Sequence, residues 1–152
     1  MRLSKNLTLA EVTKSATAIR KGISNEPTIE HLENLKAVAE NIFQPLRDKF
    51  AVPIAITSGY RSADLNKAIG GSSTSQHCKG QALDIDADVY GGLTNKEIFD
   101  YIKDSLDFDQ LIYEFGTKNN PAWVHCSFIS NGNRRQILRA IKKNGKTSYE
   151  LY

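Results

Sequence analysis

The hydrophobic pattern of this chain changes period part-way along, and that change limits its fold more than any other feature. From Thr28 onward, Leu32, Leu35, Val38, Ala39, Ile42, Phe43 and Leu46 recur mostly at three- and four-residue steps. Such spacing lays one apolar stripe along a helix, which then needs a surface to cover it. Pro45 has no amide hydrogen and crowds the preceding turn, so it should kink or end that helix. Further on the period falls to two: Ala82-Leu-Asp-Ile-Asp-Ala87 alternates as a strand does. Helices come first and strands dominate later. The order predicts an α+β fold, a small central antiparallel sheet with N-terminal helices packed on it. Strands and helices do not alternate regularly, which argues against a parallel doubly wound sheet.

Local signals place the remaining elements. Thr8–Glu11 and Thr94–Glu97 each fit a capping box, in which a Thr and a Glu satisfy one another's free backbone amides at a helix start. Residues 15–27, broken by Gly22, Asn25 and Pro27, read as irregular. Pro53–Thr57 reads as a short strand. Ser62 should cap a helix through Ile69, stopped by Gly70-Gly71, and 70–76 is a loop by composition. Phe108–Phe115 and Trp123–Ile129 are two further strand-like runs. Asn144-Gly145 is the strongest hairpin signal in the chain, joining 136–143 to 146–152. Ile137, Leu138 and Ile141 would alternatively form a helical face.

At 152 residues the chain fits a single domain, residues 1–152. A chain of this size buries roughly 70% of its unfolded surface and needs no staples. Its net charge of +3 is too mild for a dedicated nucleic-acid binder. No stretch approaches the roughly 20 apolar residues of a membrane span. The N-terminus carries recurrent charges and no apolar run, so the expectation is a soluble monomer, cytoplasmic when made, with neither nucleic acid nor membrane as partner. Two cysteines in such a chain are expected reduced. Arg134, Arg135, Arg139, Lys142, Lys143 and Lys146 form a run without an acid, leaving 14 basic against 17 acidic residues elsewhere. The run reads either as a solvated face or as an attraction for an anionic polymer.

The residues that carry chemistry are few. There are only three histidines, His31, His77 and His125. In Ser75-Gln-His77-Cys-Lys-Gly80-Gln-Ala82-Leu-Asp84, a His precedes an Asp by seven positions. Gly80 allows a sharp bend between them. Trp123-Val-His125 places a second His on another strand. Two imidazoles and a carboxylate form the ligand set of a catalytic zinc, with the fourth position left open. His31, on a helix flank, reads as an ordinary surface residue. Cys78 and Cys126 each follow a proposed ligand, but strand alternation turns each thiol away from its His, so inert thiols are expected rather than nucleophiles.

Ser58-Gly-Tyr-Arg-Ser62, Ser75-x-His77-x-x-Gly80-x-Ala82-x-Asp84 and Trp123-Val-His125 together resemble the zinc D-alanyl-D-alanine carboxypeptidase family of metallopeptidases. That family includes some phage endolysins and shares a fold with the Hedgehog signalling domain. The resemblance spans roughly residues 3 to 150, and its Ser-to-Asp core is specific. It implies one zinc per chain held by His77, Asp84 and His125. It implies a substrate in peptidoglycan peptides, cut at an amide bond that involves a D-amino acid, by a carboxypeptidase or endolysin-like endopeptidase. A small wall-cutting enzyme of this kind fits phage lysis. It also implies that Arg61 serves substrate binding.

One position departs from the family pattern. Many members carry an acid three residues before the last His ligand, where this chain has Ala122. A zinc hydrolase needs a carboxylate to take a proton from water and pass it to the leaving amine. If 109–114 pairs with 123–128 as a hairpin, Glu114 lies near His125 and can fill that role. Asp86 is the competing candidate. Ala122 also keeps alive a different class of function, a non-catalytic zinc-containing cell-wall binding module. Arg61 could grip a terminal carboxylate bidentately, or tie its loop to an acid inside the protein. Ser75 would bind substrate or order its own loop. Trp123 would line the cleft or fill the core.

Overall fold

The computed structural model describes all 152 residues. Strands β1 (Arg2–Ser4) and β2 (Leu7–Thr8) form a small antiparallel pair, followed by α1 (Leu9–Thr13) and α2 (Ala16–Lys21). The capping box predicted at Thr8 and Glu11 opens α1. Helix α2 corrects the reading of 15–27 as irregular. Ser15 caps it and Gly22, at φ 64°, ends it, but its six residues bury only Ala18, so no apolar stripe announces it.

The long amphipathic segment comprises α3 (Ile29–Val38), a wide π-turn over Ala39–Phe43, and α4 (Gln44–Phe50). Pro45 does not end it. The π-turn shifts bonding to five residues back, as in Gln44 N–H to Ala39 O, which makes room for a proline in the first turn of α4. Leu35, Val38, Ala39, Ile42, Phe43 and Leu46 are all buried along this stripe.

After this come β3 (Ala55–Ser58), α5 (Ala63–Ala68), a 3-10 turn over Gln76–Lys79, β4 (Ala82–Asp86), a second 3-10 turn over Ala87–Val89, and α6 (Asn95–Ser105). Then follow β5 (Gln110–Glu114), β6 (Trp123–Ser127), β7 (Gln136–Lys143) and β8 (Lys146–Leu151). The capping box at Thr94 and Glu97 opens α6, and Ser62 caps α5. Asn144 and Gly145, both at positive φ, make the predicted β7–β8 turn, so the helical alternative for 137–141 does not occur.

The fold is α+β, with six main-sheet strands in the order β3-β4-β6-β5-β7-β8. All neighbours are antiparallel except β5 and β7, which makes the sheet mixed. The parallel pair arises because the chain leaving β6 passes the start of β5 before entering β7. Asp109, 2% exposed, holds that passage: its carboxylate accepts from the backbone N–H, Nε and Nη2 of Arg134. Asp109 also accepts from Gln76 Nε2 at 3.0 Å, which ties the passage to the 3-10 turn.

Register sorts the two faces of the sheet. Leu83, Ile85, Leu111, Tyr113, Val124 and Cys126 point to one face and join the hydrophobic core under α3 and α6. Their alternates, Asp84, Ile112, Glu114, Trp123 and His125, point to the other face. No helix of the fold is long and apolar enough to cross a membrane.

Candidate metal centre

A cleft of about 980 Å³ lies over that second face. Its floor is the sheet, and its wall is the segment from Ile69 to His77. The expected residues meet here from three directions. Asp84 and His125 face one another in the β4–β6 register, and Asp84 Oδ1 lies 3.0 Å from His125 Nδ1. His77 comes from outside the sheet, on the 3-10 turn, and its Nε2 lies 3.3 Å from the same Asp84 oxygen.

Local chemistry fixes His77. Ser75 Oγ accepts from the His77 backbone N–H and so caps the turn, and Gly80 at φ 72° ends it. A Cβ on Gly80 would stand 2.5 Å from the His31 carbonyl oxygen, so only glycine fits between the turn and α3. The His77 Nδ1–H donates to Gly59 O at 2.7 Å, since a carbonyl can only accept. This leaves Nε2 with a free lone pair aimed at Asp84.

The three ligand atoms all lie within 4.8 Å of one another. Tetrahedral zinc, with bonds of 2.0–2.2 Å, separates its donors by about 3.3 Å. The Asp84 contacts of 3.0 and 3.3 Å match that spacing, so the donor set and its arrangement fit a zinc ion. Burial works against the Asp84 charge, but His77 and His125 outweigh it and hold the carboxyl well below the usual carboxylate range.

The β5–β6 hairpin forms as expected, with Glu114 paired to Trp123 and Ile112 to His125. Glu114 is 7% exposed and lines the cleft beside His125. Burial pushes its carboxyl up to about 7, with His125 opposing and Asp84 adding to the rise. Asp86 does not line the cleft. Its carboxylate accepts from the Asp88 backbone and from Asn95 Nδ2, which occupies it in a turn.

Arg61 lines the cleft and pairs with no carboxylate of the protein. Its Nη2 donates to Ser75 Oγ at 3.2 Å, and its buried Nε has no partner. Ser75 thus both caps its own turn and steadies Arg61. Trp123 stands on the cleft face against Phe115 rather than in the core.

His31 is not a free surface residue: it is half-buried, with Nδ1 3.1 Å from the Tyr60 hydroxyl. Cys126 is buried on the core face, and burial pushes its thiol far up; Cys78 is raised by burial too. Neither is an activated thiol.

The basic run is mostly exposed, and its arginines also hold partners within the protein. Arg134 binds Asp109, Arg135 binds the Leu106 and Lys103 carbonyls, and Arg139 lies against the rings of Tyr113 and Tyr152. Lys142, Lys143 and Lys146 stay exposed, as a solvated face would have them. Tyr149 and Leu138, neither of them expected as a site residue, also line the cleft. The alternation of β7 and β8 would have placed them there once their neighbours in the sheet were known.

A family model described as peptidase M15 matches residues 5–127. The chain belongs to the peptidase M15 family. M15 peptidases are metallopeptidases and typically use zinc, in keeping with the buried His-Asp-His cluster. The M15 match includes all three residues of that cluster, with Arg61, Ser75 and Glu114, and it ends at Ser127. Strands β7 and β8 lie beyond it. No curated protein matches the chain.

Proposed function

We propose that this M15 peptidase is a peptidoglycan hydrolase that cuts amide bonds in stem peptides or cross-links, with one zinc held by His77, Asp84 and His125. The observation that carries the reading is the placement of Glu114, a buried carboxylate on the cleft face that also holds His77, Asp84 and His125. The ion would supply Lewis-acid chemistry, polarising the scissile carbonyl and acidifying water.

The side chains do the rest. Glu114 takes the proton of the attacking water and returns it to the leaving amine. A carboxylate within reach of the water can do both, as general base and then general acid. His77 is kept in one tautomer by Gly59 O, which fixes the direction of its lone pair. Arg61 receives a substrate carboxylate. Its unpaired Nε and its freedom from internal acids leave its charge available to one, and Ser75 holds the guanidinium in place. Peptidoglycan stem peptides end in D-amino-acid carboxylates, which makes this pairing chemically apt.

Ala122 favours the rival reading, a wall-binding module that holds zinc without cutting. Glu114 supplies the carboxylate that Ala122 lacks, and so favours catalysis. Incubation of the zinc-loaded protein with purified peptidoglycan separates the two. New free amines are expected; binding to the wall with no release of amines overturns the peptidase reading.

A further inference from the structure

The C-terminal hairpin, outside the M15 match, forms one side of the cleft. Glu114 on β5 pairs with Ala140 on β7, and Ala140 pairs with Tyr149 on β8. The three side chains therefore stand in one row on the cleft face. Ala140 is fully buried and presents only a methyl group, so no bulky side chain separates Glu114 from Tyr149 within the row. Two strand spacings put the Glu114 and Tyr149 backbones about 10 Å apart on the same face of the sheet.

The hydrogen-bond donors of the cleft are mostly occupied. Gln110 donates to Gln136, Gln76 to Asp109, and Arg134 to Asp109. Thr147 accepts from Lys142. Tyr149 is 55% exposed and lines the cleft, and its hydroxyl bonds to nothing in the protein. Burial, with the nearby charges of Glu114 and Asp84, raises its phenol, so the hydroxyl keeps its proton.

We propose that Tyr149 is a further catalytic residue, whose hydroxyl donates a hydrogen bond to the scissile carbonyl oxygen as negative charge develops there. The inference rests on the peptidase reading above. No proton is transferred from Tyr149. The hydrogen bond tightens as the carbonyl becomes tetrahedral, then relaxes when the amide bond breaks and Glu114 protonates the leaving amine. A donor aimed at that oxygen favours the transition state over bound substrate, so its loss falls on kcat rather than KM.

Tyr149→Phe removes only the hydroxyl from a half-exposed ring and should fold as the parent does. With zinc-loaded protein and a synthetic stem peptide, kcat is expected to fall about 10²-fold with KM nearly unchanged. Zinc stoichiometry should stay the same. Calorimetric binding of a phosphinate analogue of the tetrahedral state should weaken by a similar factor, while binding of the product peptide stays level. A Tyr149→Phe variant that matches an active parent in kcat and in phosphinate binding overturns the role and leaves the peptidase reading standing. A zinc-loaded parent that cleaves no wall peptide overturns that reading, and the role of Tyr149 with it.

Discussion

Asp84 Oδ1 lies 3.0 Å from His125 Nδ1, between two residues that face each other directly across β4 and β6. Two of the three metal-ligand candidates are thus set by strand register alone. Slipping β4 by one residue would turn Asp84 into the core and bring Leu83 into the cleft. The third, His77, depends on the turn that brings it back over the sheet.

That turn makes Gly80 a sensitive position. Gly80→Ala combines a left-handed backbone with a 2.5 Å clash against His31 O. The expected cost is about 1–3 kcal/mol of folding stability, together with weaker zinc binding as His77 shifts. Denaturant unfolding and metal titration of the variant check both effects.

Glu114→Gln should lower hydrolysis about 10²- to 10⁴-fold while zinc stoichiometry stays unchanged. Activity that survives unchanged places the base elsewhere. The same residue gives the metal-free protein a pH dependence. Its folded carboxyl is raised to about 7 from an ordinary value of 4.5, so the native state holds this proton more tightly than the unfolded chain. Native stability is therefore lost as pH rises from about 4.5 to about 7. Removing the charge removes that loss. Metal-free Glu114→Gln should gain melting temperature over the metal-free parent at pH 8 relative to the difference at pH 5.

Arg134→Ala leaves the buried Asp109 carboxylate without its main partner. The expected loss is about 2 kcal/mol of stability. The Arg134 guanidinium, followed by burial in the opposite sense, sets the Asp109 carboxyl below its ordinary range. The parent's advantage is therefore present above the ordinary carboxyl pKa and fades as pH falls through the lower folded one. Unfolding curves of parent and variant at pH 7 and pH 3 should converge at the lower pH.

Arg61→Ala should raise KM for stem peptides with a free terminal carboxylate by about 10- to 100-fold, the worth of a charge-assisted hydrogen bond. Peptides amidated at that terminus should change much less. Equal effects on both peptides would remove the carboxylate from the account.

Much of this arrangement was legible in the residues themselves. His77, Asp84 and His125 stand in a spacing that metal ligation explains, and both capping boxes form as their Thr and Glu residues predict. The β5–β6 hairpin could be anticipated, and with it the approach of Glu114 to His125. Other features depend on tertiary context. The π-turn that carries the chain past Pro45 is a backbone adjustment with no residue signature of its own. The parallel β5–β7 pair depends on Asp109 gripping Arg134, two residues 25 positions apart. Tyr149 reaches the cleft only because β7 and β8 extend the sheet beyond Glu114, and nothing local to Tyr149 foretells those neighbours.

The central claim is that His77, Asp84 and His125 hold a single zinc ion. Calorimetric titration of the metal-free protein with zinc tests it most directly, run beside His125→Ala and Asp84→Asn. The account predicts about one zinc per chain for the parent and loss of that site in both variants, with the fold retained by circular dichroism. A folded parent that takes up no zinc, or variants that bind it as the parent does, would contradict it.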